Sequence, residues 1–183
     1  MKSDTIAAIA TALSDAGIGI IRISGPEAIA VANRVVVNKK KENTLKNWQT
    51  HTIHYGFVEE NGTILDEVMV SVMKAPRSYT TEDTVEINCH GGVFAVRRVL
   101  ETVLKHGVRA AEPGEFTKRA FLNGRIDLSQ AEAVMDVIQS KNEYSLKNSV
   151  GQLKGSVRNT VQQIREKLLY HIAYIESALD DPE

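Results

Sequence analysis

Cysteine is almost absent from this sequence, since Cys89 is the only one among 183 residues. An internal disulfide is therefore excluded, and with it a disulfide-stapled secreted scaffold. Residues 1–10 lack the basic region and long apolar core of a secretory signal. No apolar run reaches the roughly 18 residues needed to cross a bilayer. We therefore expect a cytoplasmic protein without a membrane span.

An excess of charge of either sign is also missing. Lys and Arg total 22 against 23 Asp and Glu, which gives a net charge of −1. The chain as a whole therefore has no electrostatic attraction to nucleic acid or anionic lipid, and any RNA contact must come from a local patch. Segment 38–47 is rich in lysine but has few apolar residues, and it is interpreted as an exposed loop.

Three common site motifs are incomplete. Gly17-Ile18-Gly19 lacks the third glycine of a dinucleotide fingerprint, and segment 151–155 lacks the terminal Gly-Lys-Ser/Thr of a phosphate-binding loop. His51 and His54 are three apart in a predicted strand and should point to opposite faces. The sequence thus predicts neither a nucleotide site of these kinds nor a metal site.

Hydrophobic periodicity predicts an α+β fold. Short strand-like runs alternate with helical ones in residues 1–118, which suits helices packed on one face of a mixed, mostly antiparallel sheet. Asn61-Gly62 is a strong signal for a hairpin between two of these strands. Residues 119–183 are predicted to be all helical and to form a second domain. The predicted strands are 5–10, 18–24, 51–58, 63–73, 84–89 and 108–111, and the predicted helices of the first part are 26–36 and 92–106.

Several helix boundaries follow from local signals. Pro26 and Pro113 each suit the first position of a helix, and Ser129 with Glu132 fits a capping box. From 146 to 179, apolar residues recur at steps of three and four and predict one helix over 143–179, on the order of 55 Å long. An exposed apolar stripe of that size needs covering. We expect partner helices from outside this sequence, or from a second chain, to cover it.

Strand 84–90 carries the sharpest candidate site. Because strand side chains alternate between faces, Val85, Ile87 and Cys89 should share the core face, where Cys89 would be a buried thiol and not a nucleophile. The opposite face is a row of hydrogen-bonding groups, which either is simply solvated or binds a ligand: Thr84, Glu86, Asn88 and His90.

Two arginines stand out for their positions. Arg22 is a charge inside an otherwise apolar strand, and it requires an anionic partner or a route to water. A structural ion pair and a ligand contact both satisfy that requirement. Arg125 follows the helix-ending pair Asn123-Gly124, where an arginine often serves only as a partner for the helix dipole.

Five ordered blocks, spread over almost the whole chain, resemble the signatures of one family. They are GIIRISG at 19–25, SYTTED at 78–83, EINCHGG at 86–92, PGEFTKRAFLNGR at 113–125 and DLSQAEA at 127–133. On these blocks the chain is similar to the MnmE (TrmE) family of tRNA-modification GTPases.

The resemblance implies an amino-terminal domain similar to the folate domains of aminomethyltransferases, and a helical domain into which a Ras-like GTPase domain is inserted. It implies a homodimer that works on tRNA with a flavin-dependent partner of the MnmG (GidA) type, placing a carboxymethylaminomethyl-type group on the wobble uridine. The one-carbon unit would come from 5-formyl- or 5,10-methylene-tetrahydrofolate. GTP, potassium and magnesium would belong to the GTPase domain, which this sequence does not contain.

By position, Arg22, Glu86 and Arg125 match the folate-contacting residues of that family. A carboxylate suits the aminopyrimidinone edge of a pterin, and arginines suit carbonyls and a glutamate tail. Arg125 stands where some relatives carry lysine, and the sequence does not assign either arginine to one end of the ligand.

Two other functions remain open. One is a dimerisation and partner-docking scaffold that does not bind folate in isolation. The other is an independent aminomethyltransferase-like enzyme, which is less supported because no general base has a clear partner.

Overall fold

The chain divides into two compact units. The computed structural model describes residues 4–40, 42 and 45–180, and residue contacts separate the chain between Arg125 and Ile126. The expected division into functional domains at residues 118 and 119 stays a prediction. Residues 41, 43 and 44 of the predicted lysine-rich loop lie outside the described residues. Within that loop, Leu45–Asn47 forms a short 3-10 turn in which Leu45 is buried.

The first unit contains one mixed sheet of seven strands, in the order β3-β4-β5-β6-β2-β1-β7. All neighbours are antiparallel except β1 and β7, which are parallel. The strands are β1 Ile6–Ile9, β2 Ala16–Ser24, β3 Val36–Val37, β4 Thr52–Glu60, β5 Thr63–Met73, β6 Thr84–Gly91 and β7 Arg109–Ala110, and the helices are α1 Ala28–Val35, α2 Val93–Leu104 and α3 Glu115–Leu122.

The predicted hairpin is confirmed. Strands β4 and β5 are joined by Asn61 and Gly62, whose φ angles of 51° and 82° are both in the left-handed region. A two-residue turn of this kind matches the twist of the flanking strands, and asparagine followed by glycine adopts it at low cost.

One face of the sheet forms the core, as the sequence predicted. Val85, Ile87 and Cys89 of β6 are buried and belong to the same apolar cluster as Val31 of α1 and Val99 of α2. Both helices therefore pack on this side of the sheet, and the side that carries Glu86 is the outer face. The predicted α+β class is confirmed.

Two predicted helix starts are wrong. Residues 25–27 form a turn in which the Ala28 amide donates to the Gly25 carbonyl, so α1 begins at Ala28 and not at Pro26. The other end is shorter as well, because Val36 and Val37 pair with β4. Helix α3 begins at Glu115 and not at Pro113, because Gly114 has a φ of 74° and cannot continue a right-handed helix.

The second unit consists of α4 Leu128–Gln139, α5 Glu143–Leu153 and α6 Ser156–Asp180. The capping box predicted for Ser129 and Glu132 is wrong. Asp127 is the N-cap, its side chain accepts from the Gln130 amide, and the Gln130 side chain accepts from the Asp127 amide. The predicted pair and the observed pair both have residue types that can form a capping box. The observed N-cap lies two residues before the predicted one.

The predicted single helix over 143–179 is also wrong, because Gly155 interrupts it with a φ of 87°. The second piece, α6, has 25 residues, which corresponds to roughly 37 Å. Its apolar stripe is present and exposed, and the helix, which the structure describes throughout, contains no buried residue. Exposures range from 44 to 74% for Val157, Val161, Ile164, Leu168, Ile172, Ile175 and Leu179. Within the described residues, no helix combines the length and apolar character needed to cross a membrane.

Candidate ligand-binding site on the outer face of the sheet

The centre of the candidate site is an ion pair between two neighbouring strands. Arg22 of β2 and Glu86 of β6 lie directly opposite each other in the antiparallel register. Arg22 Nε donates to Glu86 Oε1 over 2.8 Å, and the two side chains remain 27% and 21% exposed. The pair is therefore accessible to a ligand, and only one oxygen of the Glu86 carboxylate is engaged among the described residues.

An aromatic ring links this pair to the second arginine. The Arg22 guanidinium carbon lies 5.4 Å from the centroid of the Tyr79 ring, and that of Arg125 lies 4.9 Å from the same centroid. Both distances are in the range of a cation–π interaction. Arg22 also lies 5.5 Å from the ring of Phe116, and the Tyr79 hydroxyl is hydrogen-bonded to Thr117 over 2.9 Å. Helix α3 thus holds the ring that both arginines contact.

The end of α3 sets the position of Arg125. Gly124 has a φ of 75° and ends the helix, and the Arg125 amide returns to the carbonyl of Ala120. This is a left-handed termination that glycine favours. The Asn123 side chain donates to the carbonyl of Thr80 over 2.7 Å. The segment that carries Arg125 is therefore fastened to the segment that carries Tyr79.

A cavity of about 500 Å³ opens beside Arg125 and Tyr79. Its described lining includes three basic side chains, His51, Arg77 and Arg125, and no acidic one. Neither Arg77 nor Arg125 has an ion-pair partner among the described residues. The cavity is therefore an electropositive continuation of the site.

A second group of charged side chains connects α3 with other elements of the first unit. Arg119 of α3 donates to the Glu82 and Glu115 carboxylates over 3.2 Å each and to Asp4 over 2.7 Å, with only 10% of its own side chain exposed. Hydrogen bonds from Arg109 lower the pKa of Glu115 to about 2. Glu115 and Arg119 thus join α3 to the loop before β6 and to the residues before β1.

Two residues at the end of β6 have distinct environments. Burial raises the pKa of Cys89 to about 11, and its thiol donates to the carbonyl of Gly19, so the predicted burial of this thiol is confirmed. His90 is exposed, and the Asp66 carboxylate accepts from its amide and contacts its ring, which raises the pKa of the imidazole. A Cβ at Gly91 would lie 2.4 Å from the carbonyl oxygen of Ala16, so only glycine allows β2 to approach so closely here.

The structure brings all three predicted residues into one region. Arg22 and Glu86 are paired, and Arg125 joins them through Tyr79. The sequence reasoning missed Tyr79, Arg77 and His51. Tyr79 lies inside the SYTTED block, which was the only signal for it. Among the described residues, no group of three or more His, Cys, Asp or Glu side chains could hold a metal ion.

The fold and the candidate site define a class of protein with an α+β unit, which carries an accessible polar face, followed by a helical unit. Residues 5–125 match the family model described as "GTP-binding protein TrmE N-terminus", and residues 128–183 match the one described as "MnmE helical domain". The chain belongs to the MnmE (TrmE) family, of which it contains the amino-terminal and helical domains.

Relatives named "tRNA modification GTPase MnmE" match over the whole chain. The protein of Lachnoclostridium phytofermentans is 60% identical and that of Carboxydothermus hydrogenoformans is 55% identical, and the chain covers 40% of each. The protein of Listeria innocua is 51% identical, with 39% of its length covered. The chain therefore spans about two fifths of the length of the curated relatives it matches.

Proposed function

We propose that this chain binds a reduced folate on the outer face of its sheet and presents a one-carbon unit for tRNA modification by a larger GTPase. The single observation that carries this proposal is the accessible Glu86 carboxylate, paired with Arg22 and linked through Tyr79 to Arg125. The one-carbon donor is 5-formyl- or 5,10-methylene-tetrahydrofolate, and the modified base is the wobble uridine.

The chemistry of the ion pair supports a heterocyclic ligand. A carboxylate is an acceptor only, and a pterin offers an amino group and a ring N–H side by side on one edge. A ligand edge of that kind can share the carboxylate with Arg22, since a carboxylate has about four lone-pair sites. A simple structural ion pair would need no such accessibility.

The outer face also supports a homodimer. Four large apolar side chains on it are between 39 and 62% exposed, and apolar patches of this kind mark interaction surfaces. They are Ile18, Ile53, Tyr55 and Met69. In the larger protein we expect the flavin-dependent partner and tRNA to join this dimer, and we expect helices from outside this sequence to cover the stripe on α6.

The test is folate binding by the Glu86→Gln variant. Titration calorimetry with 5-formyltetrahydrofolate should show binding to the 183-residue chain and an affinity at least about tenfold lower for the variant, because a hydrogen bond to a charged group contributes about 1.5–3 kcal/mol. Glu27→Gln is the matched control, since Glu27 is exposed and makes no capping hydrogen bond through its side chain.

Two outcomes would count against the proposal. Equal affinity of the Glu86→Gln variant and the unaltered chain would remove Glu86 from the site. No binding by the unaltered chain, together with a dimer in sedimentation, would favour the scaffold function instead.

A further inference from the structure

The candidate site has opposite electrostatic character at its two ends. At one end is the Glu86 carboxylate, which one guanidinium partly neutralises over 2.8 Å. At the other end is the cavity beside Arg125, with its additional basic groups Arg77 and His51. Tyr79 is common to both, because it contacts Arg22 and Arg125 and also lines the cavity.

This polarity fits a ligand with donors at one end and negative charges at the other. The end that carries a carboxylate suits the donor-rich edge of a heterocycle, and the basic cavity suits an anionic tail. In the reverse orientation, the carboxylates of the tail would face the Glu86 carboxylate, and these like charges would repel each other. The contacts therefore favour one orientation.

We infer that the cavity lined by Arg77, His51 and Arg125 is a subsite for the γ-linked glutamate chain of a polyglutamylated folate, with the pterin at Glu86. This inference rests on the proposed function. It assigns Arg22 to the pterin end and Arg125 to the tail end, and it adds Arg77 and His51 as specificity residues for tail length.

The size and openness of the cavity agree with this ligand. About 500 Å³ is more than one side-chain carboxylate requires, and it is within the range of small-molecule pockets. Arg77 and His51 are exposed, so each contributes a screened interaction with an added carboxylate. The gain in affinity per glutamate should therefore be modest and should decrease with salt.

The experiment compares the mono- and triglutamate forms of 5-formyltetrahydrofolate by titration calorimetry on the 183-residue chain. We expect the triglutamate to bind about fivefold or more tightly at low salt, and this ratio to fall at 0.5 M salt, roughly the condition where screening extends only a few ångströms. In Arg77→Gln the ratio of the two affinities should drop to less than about twofold, because the added glutamates lose a basic partner.

Arg97→Gln is the matched control, because Arg97 is exposed on α2 and does not line the cavity. It should leave both affinities unchanged, and circular dichroism checks that each variant is folded. Equal affinities of the unaltered chain for the two folates, or an unchanged ratio in Arg77→Gln, would overturn the inference while the proposed function stands. If neither folate binds, both fall.

Binding of tRNA to the unaltered chain and to Arg77→Gln tests whether the cavity instead binds the phosphates of a nucleic acid. If tRNA binding by the chain depends on Arg77 but the ratio of folate affinities does not, the cavity binds nucleic-acid phosphates and the inference is overturned. If the ratio of the triglutamate to the monoglutamate affinity depends on Arg77, and tRNA binding does not depend on it, the tail subsite is supported.

Discussion

Replacing Arg119 with methionine should strongly destabilise the first unit. The substitution keeps a long side chain but removes the cation that Glu82 and Glu115 share, and these carboxylates are only 13% and 9% exposed. Breaking a buried ion pair by removing one partner costs about 3–5 kcal/mol, because a charge is left buried without its partner.

Two features of the structure place the cost near the lower limit of that range. Glu115 keeps Arg109 at 2.6 Å, which still neutralises its carboxylate. Asp4 is 55% exposed, so water replaces much of what Arg119 provides to it. We expect a loss of about 3 kcal/mol in the free energy of unfolding, equivalent to roughly 6–12 °C in Tm for a chain of this size.

Urea unfolding followed by tryptophan fluorescence measures this loss specifically. Trp48 is the only tryptophan in the sequence, and it lies in the first unit, where it stacks on His54 with the ring centroids 3.7 Å apart. Arg97→Met is the control, and its effect should stay within about 0.5 kcal/mol. A loss below about 1 kcal/mol for Arg119→Met would refute the assignment of Arg119 as the centre of a buried network.

The same network has a defined pH dependence. Because the pKa of Glu115 is lowered to about 2, its ionised form stabilises the folded state. That contribution is complete above the ordinary carboxyl pKa near 4.5 and is lost as the pH falls towards 2. A Glu115→Gln variant should therefore lose less stability than the unaltered chain over this range. An identical pH profile for the two proteins would contradict the coupling.

Two further predictions concern the second unit and the end of β6. Gly155→Ala should lower the free energy of unfolding by about 1 kcal/mol, since Gly155 has a φ of 87°. Gly151→Ala, inside α5, should leave it unchanged or raise it by up to about 1 kcal/mol. Thermal unfolding monitored by circular dichroism compares the two variants. The pKa of His90 is raised chiefly by its hydrogen bond to Asp66, so this contact stabilises the fold below pH about 6.5 and is lost as the pH rises through the folded-state pKa. An NMR titration of Asp66→Asn should find the His90 pKa lowered, and an unchanged value would refute the contact.

The candidate site was predictable from sequence only in part. Glu86 could be placed on the polar side of its strand, because strand side chains alternate and the opposite side is apolar. The pairing of Glu86 with Arg22 could not be predicted, because the two residues are 64 positions apart in the sequence. They meet because β6 and β2 are neighbours in the sheet. The positions of Tyr79 and Arg77 depend equally on how the loop before β6 folds against the end of α3.

The boundaries that went wrong share one cause. Local rules predict that Pro26, Pro113 and Ser129 each mark the start of a helix, and in each case a nearby residue marks it instead. Gly114 and Gly155 adopt left-handed backbone angles that a pattern of apolar residues does not reveal. Local propensity is a weak constraint on where a helix begins, because a shift of one or two residues changes few of its contacts.

The amino-acid sequence by itself determined the alternation of strands and helices, the hairpin at Asn61-Gly62 and the two faces of β6. These features depend on contacts between residues close in the chain, or on a periodicity that fails completely if shifted by one residue. Only the tertiary structure decided the strand order that pairs Arg22 with Glu86, and the ring of Tyr79 that joins them to Arg125. Such contacts form between distant segments, and the free energy that selects them comes from burying the whole core at once.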